Sequence, residues 1–405
     1  MIMKRIAFVD QNPVAGGIIR FGTNLAAALT RVHPGLEITF FTTQINYKQN
    51  AGLFDNYNGL FKTRILKSTR KTYTGTMFLD TALLRVLGTS RSELLKKEIY
   101  WLTKDFDAVY FTNVHASEFI KVKPPSFATF HDLLWKYRFG MPLFSSENVS
   151  ILDSHIRMWL KQTRIIVSTP FVRSEILRFF PETKQDIDVV YLPNLAQQPK
   201  QSRKDDAATM RSLGITNEYI LYPSHLMPHK NHQNLFCAFS KLMESEEFSG
   251  KYILVLTGGD TDHIKHGLAI PIGLKSSGEK DFNILGLGYI SNNAVDILIR
   301  NASLVISTSL YEAGSGPATD AWLNGVPVII SNIQSHLDQI DFFGIECRLF
   351  DPTNPDDIHQ KLAYALRNLH ELRAESQRAS EKLAEYTWKD VGSHYLDIIK
   401  NKRIR

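Results

Sequence analysis

The sequence predicts an α/β protein made of two domains, each with an open parallel sheet. Apolar runs of strand length alternate with segments of helical periodicity through almost all of the 405 residues. This alternation is typical of parallel strands joined by crossover helices. It stops in residues 193–217, which are polar and contain few large apolar side chains, and then starts again. The length also fits two or three domains, each with its own core.

We assign residues 1–195 to the first domain. Its strands are expected at 5–10, 37–42, 108–113, 126–132, 164–169 and 186–192, and its clearest helices at 21–32, 146–162 and 171–180. The first ten residues lack a long apolar run with a cleavage site behind it, so we interpret them as a strand rather than a signal peptide.

The second domain is predicted to span 219–385, after a linker at 196–218. Its strands are expected at 219–223, 252–257, 282–287, 304–309, 326–331 and 348–351. Residues 370–402 are helical in pattern, and we expect a last helix at 386–405 to cross back to the first domain. Two such domains in series are expected to bind ligands in a crevice at the carboxyl ends of their strands.

Composition excludes several classes of protein. Apolar residues make up 43% and charged residues 22% of the chain, which excludes disordered, collagenous and disulfide-scaffold proteins. The two cysteines, Cys237 and Cys347, have no metal-site spacing, so a zinc site is not expected and a reducing compartment is. Without a membrane-spanning apolar run, the expected location is the cytoplasm or the inner face of the cell membrane.

Positive charge is concentrated in one segment. The formal charge is +6, and residues 62–104 carry ten basic side chains against three acidic ones. Such a cluster fits an anionic partner such as lipid headgroups, phosphate or nucleic acid, and it equally fits a solvated helix face. A nucleic acid partner is not expected, because the segment has no interleaved aromatic residues and no recognisable binding module.

The first candidate site is the loop after the first strand. Gly16 and Gly17 let the backbone approach a ligand closely, and the free N–H groups where the next helix starts attract phosphate. Arg20 lies in the first turn of that helix. A glycine pair in an ordinary turn is the alternative.

A lysine at a helix start marks the second candidate site. Residues 219–231 run from a strand into a loop that ends in Pro228-His229-Lys230-Asn231. A lysine at this position is unfavourable for the helix dipole, unless a bound polyanion lies between the two. The alternative is a solvated surface lysine.

Two carboxylates flank the third candidate site. Glu312 follows a strand, a Gly-Ser-Gly turn comes next, and Pro317 is well placed as a first helical residue. Asp320 lies one turn into that helix. Two carboxylates beside a helix N-terminus suit a hydroxyl-rich ligand such as ribose or a sugar ring, with helix capping as the alternative.

Taken in this order, the segments resemble the GT-B glycosyltransferases of family 4 (glycosyl transferases group 1), which are retaining and use nucleotide sugars. The resemblance covers nearly the whole chain and is strongest over 219–352. It implies two Rossmann-like domains that face a central cleft. The family's hallmarks stand here as Gly16-Gly17, Pro228-His229-Lys230-Asn231, Glu312-x7-Asp320 and Gly325-Val-Pro327-Val328.

The resemblance implies roles for individual residues. Lys230 would stabilise the leaving diphosphate, Glu312 would hold sugar hydroxyls, and His131, at a strand end, would touch the donor sugar. For His131 a capping role is the alternative. Tyr289 belongs to the loop 287–290 that would hold the base. The full set of donor-binding candidates is Gly16, Gly17, Arg20, His225, Tyr289, Ser315, Gly316, Pro317 and Asp320.

No cofactor or catalytic metal is expected. Asp105-Phe-Asp107 and Asp186-Ile-Asp188 mimic a metal-binding Asp-x-Asp motif, but both precede their strands, whereas metal-binding carboxylates should follow a strand's exit. The substrates implied are a nucleotide sugar, with mannose as the first candidate sugar, and a glycan or lipid-linked acceptor of bacterial surface polysaccharide or lipopolysaccharide synthesis.

Two residues depart from the family pattern. Asp320 stands where the family has Glu, and His225 stands where it commonly has Arg. The departures leave open a different nucleotide, weakened catalysis or a subgroup variation. The alternatives are therefore a catalytically silent GT-B accessory or glycan-binding protein, or another GT-B activity such as a phosphorylase or a nucleotide-sugar epimerase.

Overall fold

The structure is a computed structural model that describes residues 3–11, 17–68, 90–114, 118–137, 139, 146–193, 206–266 and 283–401. Gly16 and positions 69–89 of the basic segment lie outside the described residues. The chain divides into two compact units. Unit 1 comprises Met1–Arg138, Pro142–Leu195 and Thr387–Arg405, and unit 2 comprises Phe139–Met141 and Ala196–Tyr386.

Unit 1 is built on a seven-stranded parallel sheet in the order β3-β2-β1-β4-β5-β6-β7. Its strands are β1 Arg5–Val9, β2 Glu37–Thr42, β3 Lys62–Ile65, β4 Ala108–Phe111, β5 Ser126–Thr129, β6 Arg164–Val167 and β7 Asp188–Val189. The helices described in this unit are α1 Gly17–Val32, α2 Gln44–Gln49, α3 Ala51–Asp55, α4 Arg91–Thr103, α5 Leu134–Tyr137, α6 Ser146–Gln162, α7 Pro170–Phe179 and α15 Trp388–Lys400.

Unit 2 is built on a six-stranded parallel sheet in the order β10-β9-β8-β11-β12-β13. Its strands are β8 Glu218–Pro223, β9 Tyr252–Thr257, β10 Ile284–Gly286, β11 Leu304–Ser307, β12 Val328–Ser331 and β13 Arg348–Phe350. The helices described here are α8 Asp206–Ser212, α9 His232–Met243, α10 Asn292–Asn301, α11 Gly316–Leu323, α12 Gln334–Phe343, α13 Pro355–Arg367 and α14 Leu369–Ala384. Both parallel Rossmann-like sheets confirm the predicted fold class.

Close helix packing at two glycines holds unit 1 together. A Cβ on Gly22 of α1 would lie 2.7 Å from Cγ2 of Thr112, so glycine lets α1 approach the sheet. A Cβ on Gly392 of α15 would lie 3.0 Å from the carbonyl carbon of Ala28, so the last helix packs directly on α1.

Each sheet reverses its strand order once, between β1 and β4 in unit 1 and between β8 and β11 in unit 2. Ligands of open α/β sheets bind outside the carboxyl ends of the strands at such switch points. The loops that follow β8 and β11 are therefore the first place to look for a site in unit 2.

Candidate active site

Lys230 and Glu312 meet at the switch point of unit 2. Lys230 ends a short 3₁₀ turn after β8, and Glu312 lies in the loop between β11 and α11. The Nζ of Lys230 donates a hydrogen bond to Oε1 of Glu312. Both side chains are largely enclosed, with 15% and 17% of their surfaces exposed. The two candidates that the sequence placed in separate motifs thus form one ion pair.

Backbone geometry fixes Lys230 in place. The next residue, Asn231, adopts left-handed dihedral angles (φ 58°, ψ 38°), which asparagine tolerates better than most residues. Its side-chain amide donates to the carbonyl oxygens of Thr308 at 3.1 Å and Pro352 at 2.7 Å. The amide of Leu310 donates to the carbonyl oxygen of His229 at 2.7 Å. These bonds tie the 3₁₀ turn to the loop that carries Glu312.

Glu312 is held as a carboxylate. Ser309 Oγ donates to its Oε1 at 2.6 Å, in addition to the bond from Lys230. Burial acts to raise the pKa of Glu312, but the charge of Lys230 and the two hydrogen bonds outweigh it and lower that pKa. The sequence alone gives no role to Ser309, since a serine three residues before a glutamate is an unremarkable pattern.

The buried side chain of Tyr222 links the same two loops. Its hydroxyl donates to the carbonyl oxygen of Lys230 at 2.9 Å and lies 3.0 Å from Ser309 Oγ. The lysine, the serine and the glutamate therefore share a hydrogen-bonded base, which limits their freedom before any ligand arrives.

Four histidines surround the ion pair. His225 is exposed, whereas His229, His232 and His336 are 6%, 5% and 0% exposed. Burial, with the charge of Lys230 acting in the same direction, lowers the pKa of His232 to about 3 and also lowers that of His336. Nδ1 of His336 donates to the carbonyl oxygen of Ser331 at 2.9 Å, which leaves Nε2 as an acceptor. The rings of His232 and His336 are therefore neutral at pH 7.

The N-terminus of α11 follows Glu312 closely. Ser315 caps this helix, because its buried hydroxyl accepts from the amide of Ala318 at 3.4 Å. Pro317 lies in its first turn. A Cβ on Gly316 would have no atom within 4 Å, so the backbone is open to a ligand there. Asp320 is half-buried in the second turn. The positive end of the helix dipole, next to the open backbone at Gly316, favours a negative charge there.

Tyr289 lies on another loop at the same edge of the sheet. It follows β10, and 76% of its surface is exposed. The amide of the preceding Gly288 donates a hydrogen bond to Oγ1 of Thr261 at 2.9 Å. The ring is thus presented to solvent on an anchored turn.

The remaining described candidates belong to unit 1. Gly17 begins α1, and Arg20 is half-buried in its first turn. Nε2 of His131 donates to the carbonyl oxygen of Thr112 at 2.8 Å, and its ring packs edge-on against Phe21 at 5.2 Å. His131 therefore links the end of β5 to the end of β4 through this hydrogen bond.

Asp10 is a buried polar residue to which the sequence analysis gave no role. It ends the first strand segment and is 1% exposed. Its carboxylate accepts from Asn46 Nδ2 at 2.7 Å, from Thr112 Oγ1 at 3.2 Å and from Thr42 Oγ1 at 3.3 Å. It links the carboxyl ends of β1, β2 and β4, next to the loop that leads into α1. A carboxylate directly after an apolar strand was the available signal.

The described part of the basic segment places an exposed aromatic pair, Tyr100 and Trp101, among lysines, so the expectation that this segment lacks interleaved aromatic residues is wrong. On α4, Trp101 is 63% exposed, and Nζ of Lys104 lies 4.4 Å from its ring centroid. Tyr100 packs edge-on against it, and Lys97 is exposed on the same helix. Lys96, by contrast, pairs with Glu118 at 2.7 Å and Glu93 at 2.8 Å. Trp101, Lys97 and Lys104 are here called the α4 patch.

The described residues contain no group of three or more His, Cys, Asp or Glu side chains arranged to hold a metal ion. None of the helices in the described ranges is both long and apolar enough to cross a membrane. Asp107 accepts hydrogen bonds from the amides of Lys4 at 2.7 Å and Arg5 at 2.8 Å, so its carboxylate connects β1 to the turn before β4.

Comparison with known proteins gives the site a family context. A curated relative, the O-antigen chain mannosyltransferase B of Escherichia coli, is 23% identical over 278 residues, which cover 67% of this chain and 69% of that protein. Among solved structures, the sucrose-phosphate synthase of Thermosynechococcus elongatus superimposes with a TM-score of 0.71 at 16% identity, covering 98% of both chains. Anabaena Alr3699/HepE in complex with UDP-glucose gives a TM-score of 0.67 at 15% identity, covering 97% of this chain and 99% of that one.

The structural neighbours establish the fold, which is that of the GT-B glycosyltransferases. The sequence match is more specific, because residues 206–383 fit the model of the family "Glycosyl transferases group 1". That region contains Lys230, Glu312 and the N-terminus of α11. Residues 206–383 therefore form a glycosyl transferases group 1 domain.

Proposed function

We propose that this protein is a retaining glycosyltransferase that moves a hexose from a nucleoside diphosphate sugar to a glycan or lipid-linked acceptor. The observation that carries the proposal is the Lys230–Glu312 ion pair at the switch point of the group 1 domain. A cation and a carboxylate held side by side supply one group for a leaving diphosphate and one for sugar hydroxyls.

In the proposed reaction, the bond between the sugar C1 and the β-phosphate oxygen breaks, and its electron pair leaves with the phosphate. The acceptor hydroxyl oxygen forms the new bond to C1 on the face from which the diphosphate departs. Its proton passes to the departing phosphate oxygen. The configuration at C1 is thereby kept.

The negative charge that develops on the departing phosphate makes the main contribution to the barrier, and Lys230 is proposed to stabilise that charge. When donor binds, Nζ of Lys230 exchanges Glu312 for a phosphate oxygen. The backbone at Gly316 is open to a ligand, and the positive end of the α11 dipole adds to this field. Because these donors are fixed before reaction, they need little reorganisation in the transition state.

Glu312, released from Lys230, is proposed to accept hydrogen bonds from sugar hydroxyls, while Ser309 keeps it oriented. Asp320 is proposed to bind the ribose, and the exposed ring of Tyr289 offers a stacking surface for the base. The donor-binding roles of His131, Gly16, Gly17 and Arg20 in unit 1 stay proposals that rest on the family resemblance.

Metal independence is part of the proposal. It is supported by the positive groups already present, Lys230 and the α11 N-terminus, which do the work that a divalent cation would do at a diphosphate.

Mannose is the first sugar to test, since the E. coli relative is an O-antigen chain mannosyltransferase. For the acceptor side, we propose that the protein acts at an anionic membrane surface through the α4 patch. Exposed tryptophan next to lysines is the chemistry of an interfacial contact, because the indole favours the headgroup layer and the ammonium groups attract anionic lipid.

A thermal-shift screen against UDP, GDP, ADP, CMP and their common sugars tests the proposal. A ligand at about 100 times its dissociation constant should stabilise the protein by about 2.7 kcal/mol. Stabilisation by one nucleoside diphosphate and its sugar supports the proposed donor class. A flat response to the whole panel would point to a silent accessory protein instead.

A further inference from the structure

The loops after β8 and β11 offer a single lysine to a bound diphosphate, and in the free protein that lysine is paired with Glu312. Residues 224–231 and 308–315, all described, contain one permanently cationic side chain, Lys230. Its charge is matched by Glu312 before any ligand arrives. A diphosphate carries more negative charge than one lysine neutralises, so a second cation at this edge of the sheet would strengthen its binding beyond what Lys230 and the α11 N-terminus provide.

His225 lies in the loop that leads from β8 to Lys230, and contacts with the loop after β9 hold its backbone. It comes two residues after the end of β8, with an exposed side chain. A Cβ on Gly258 would lie 2.6 Å from the amide nitrogen of His225, so the β8 and β9 loops pack in direct backbone contact. The amide of Leu226 donates to the carbonyl oxygen of Gly259 at 3.0 Å. The imidazole is therefore presented from a fixed turn.

The charges around His225 come from each neighbouring element. Lys230 and His229 belong to the 3₁₀ turn, with the His229 ring 6.4 Å away, and His232 begins α9. Glu312 follows β11, and Asp260 follows β9. The surrounding protein and the charge of Lys230 lower the pKa of His225, against the opposite effects of Glu312 and Asp260. His229 and His232 are buried, so they add no solvent-facing charge.

We infer that His225 is a proton-coupled ligand of the donor diphosphate, binding it as an imidazolium after taking one proton from solvent. The inference rests on the proposed function. In the free protein the imidazole is neutral at pH 7.5. A diphosphate beside it replaces the repulsion of Lys230 with attraction, and so raises its pKa. The proton comes from the buffer and returns to it when the nucleoside diphosphate leaves.

The sign of the pH dependence follows from this. Between the pKa of the free imidazole and that of the bound one, affinity falls as pH rises, by at most about tenfold per pH unit for one proton. His225→Gln cannot take up a proton and should bind weakly throughout. His225→Arg is always charged, so it should bind tightly and without this pH dependence.

The test is titration calorimetry of GDP and UDP into wild type, His225→Gln and His225→Arg at pH 7.5, in Tris and in Pipes. Because these buffers differ in ionisation enthalpy, the difference in heat reports protons taken up. We expect uptake by wild type in excess of both variants, and tighter binding by His225→Arg than by wild type at pH 8. Thermal melts of the three proteins control for folding.

The outcomes distinguish a failure of the role of His225 from a failure of the proposed function. Nucleotide binding with equal proton uptake in all three proteins would overturn the role of His225 alone. Failure of wild type to bind GDP, UDP or the other nucleotides of the thermal-shift screen would overturn the proposed function, and this inference with it.

Discussion

Lys230 and Glu312 are 82 residues apart in the sequence, yet the ammonium group of the first donates to the carboxylate of the second. Their contact closes the gap between the loops after β8 and β11. In a site that works on a nucleotide sugar, each partner has to leave the other when the donor arrives. Before the donor binds, each group therefore neutralises the charge of the other.

The first prediction concerns turnover. Lys230→Ala removes the cation proposed to stabilise the leaving diphosphate, so kcat should fall by about 10²–10³-fold. Donor hydrolysis or transfer, followed by release of nucleoside diphosphate, measures the loss. Lys241→Ala is the matched control, since that lysine pairs with Asp356 at an exposed position of the same unit. A folded Lys230→Ala protein with wild-type turnover would remove Lys230 from the mechanism.

Stability at low pH gives the second prediction. Because the pKa of Glu312 lies below its ordinary value of 4.5, this group stabilises the fold above that pH and loses its contribution as pH falls through the lowered pKa. The urea midpoint of wild type should therefore exceed that of Glu312→Gln near pH 6, and the difference should shrink towards pH 3. Glu346→Gln, at an exposed position, should change the midpoint little at either pH. A wild-type advantage that grows on acidification would contradict the assigned charge state.

The two partners of the pair should also be strongly coupled. Removing one side of an enclosed ion pair costs about 3–5 kcal/mol, because the other charge is left alone in the protein. Lys230→Met should therefore destabilise more than the double variant with Glu312→Gln. Equal midpoints for the single and double variants would mean that the carboxylate is solvated without its lysine.

Another prediction tests the α4 patch. Reversing Lys97 and Lys104 to Glu and replacing Trp101 by Ser should release the protein from anionic liposomes, since each basic residue contributes about 1 kcal/mol at such a surface. Lys121→Glu with Lys123→Glu, at exposed positions of the same unit, is the control. Trp101 is the one exposed tryptophan, the other four being at most 7% exposed. Brominated lipid should therefore quench its fluorescence. Liposome binding that is absent in wild type, or unaffected by the triple change and by salt, leaves only a solvated helix face.

Metal independence gives a prediction for activity in chelator. If Lys230 and the α11 N-terminus supply the positive field, turnover should be the same in excess EDTA as in Mn²⁺. Activity that disappears in EDTA and returns with Mn²⁺ would reopen the question of Asp105 and Asp107.

The sequence predicted the framework of this fold better than its details. All twelve predicted strands correspond to observed strands, because buried parallel strands form continuous apolar runs. Strand β3 was missed, since Lys62–Ile65 is half-exposed at the sheet edge and its charged residues made it part of a basic segment. Edge strands need no continuous apolar run.

At the site, the sequence predicted participants but not their contacts. Lys230 and Glu312 could each be singled out from a local pattern, whereas their ion pair depends on the left-handed backbone at Asn231 and on bonds to Thr308 and Pro352. The supporting roles of Ser309, Tyr222 and His336 come from tertiary contacts that no local spacing encodes. Lys96 looked like one of many free cations, and its pairing with Glu93 and Glu118 is visible only in three dimensions.

The most direct test of the central claim is the anomeric configuration of the sugar that the protein releases. Proton NMR can follow the anomeric signal while wild type and Lys230→Ala act on GDP-α-mannose, or on the donor that the thermal-shift screen selects, with water or a glycan as acceptor. We expect the first product to keep the α configuration and to form far more slowly with Lys230→Ala. A first product with the β configuration, or release that does not depend on Lys230, would contradict it.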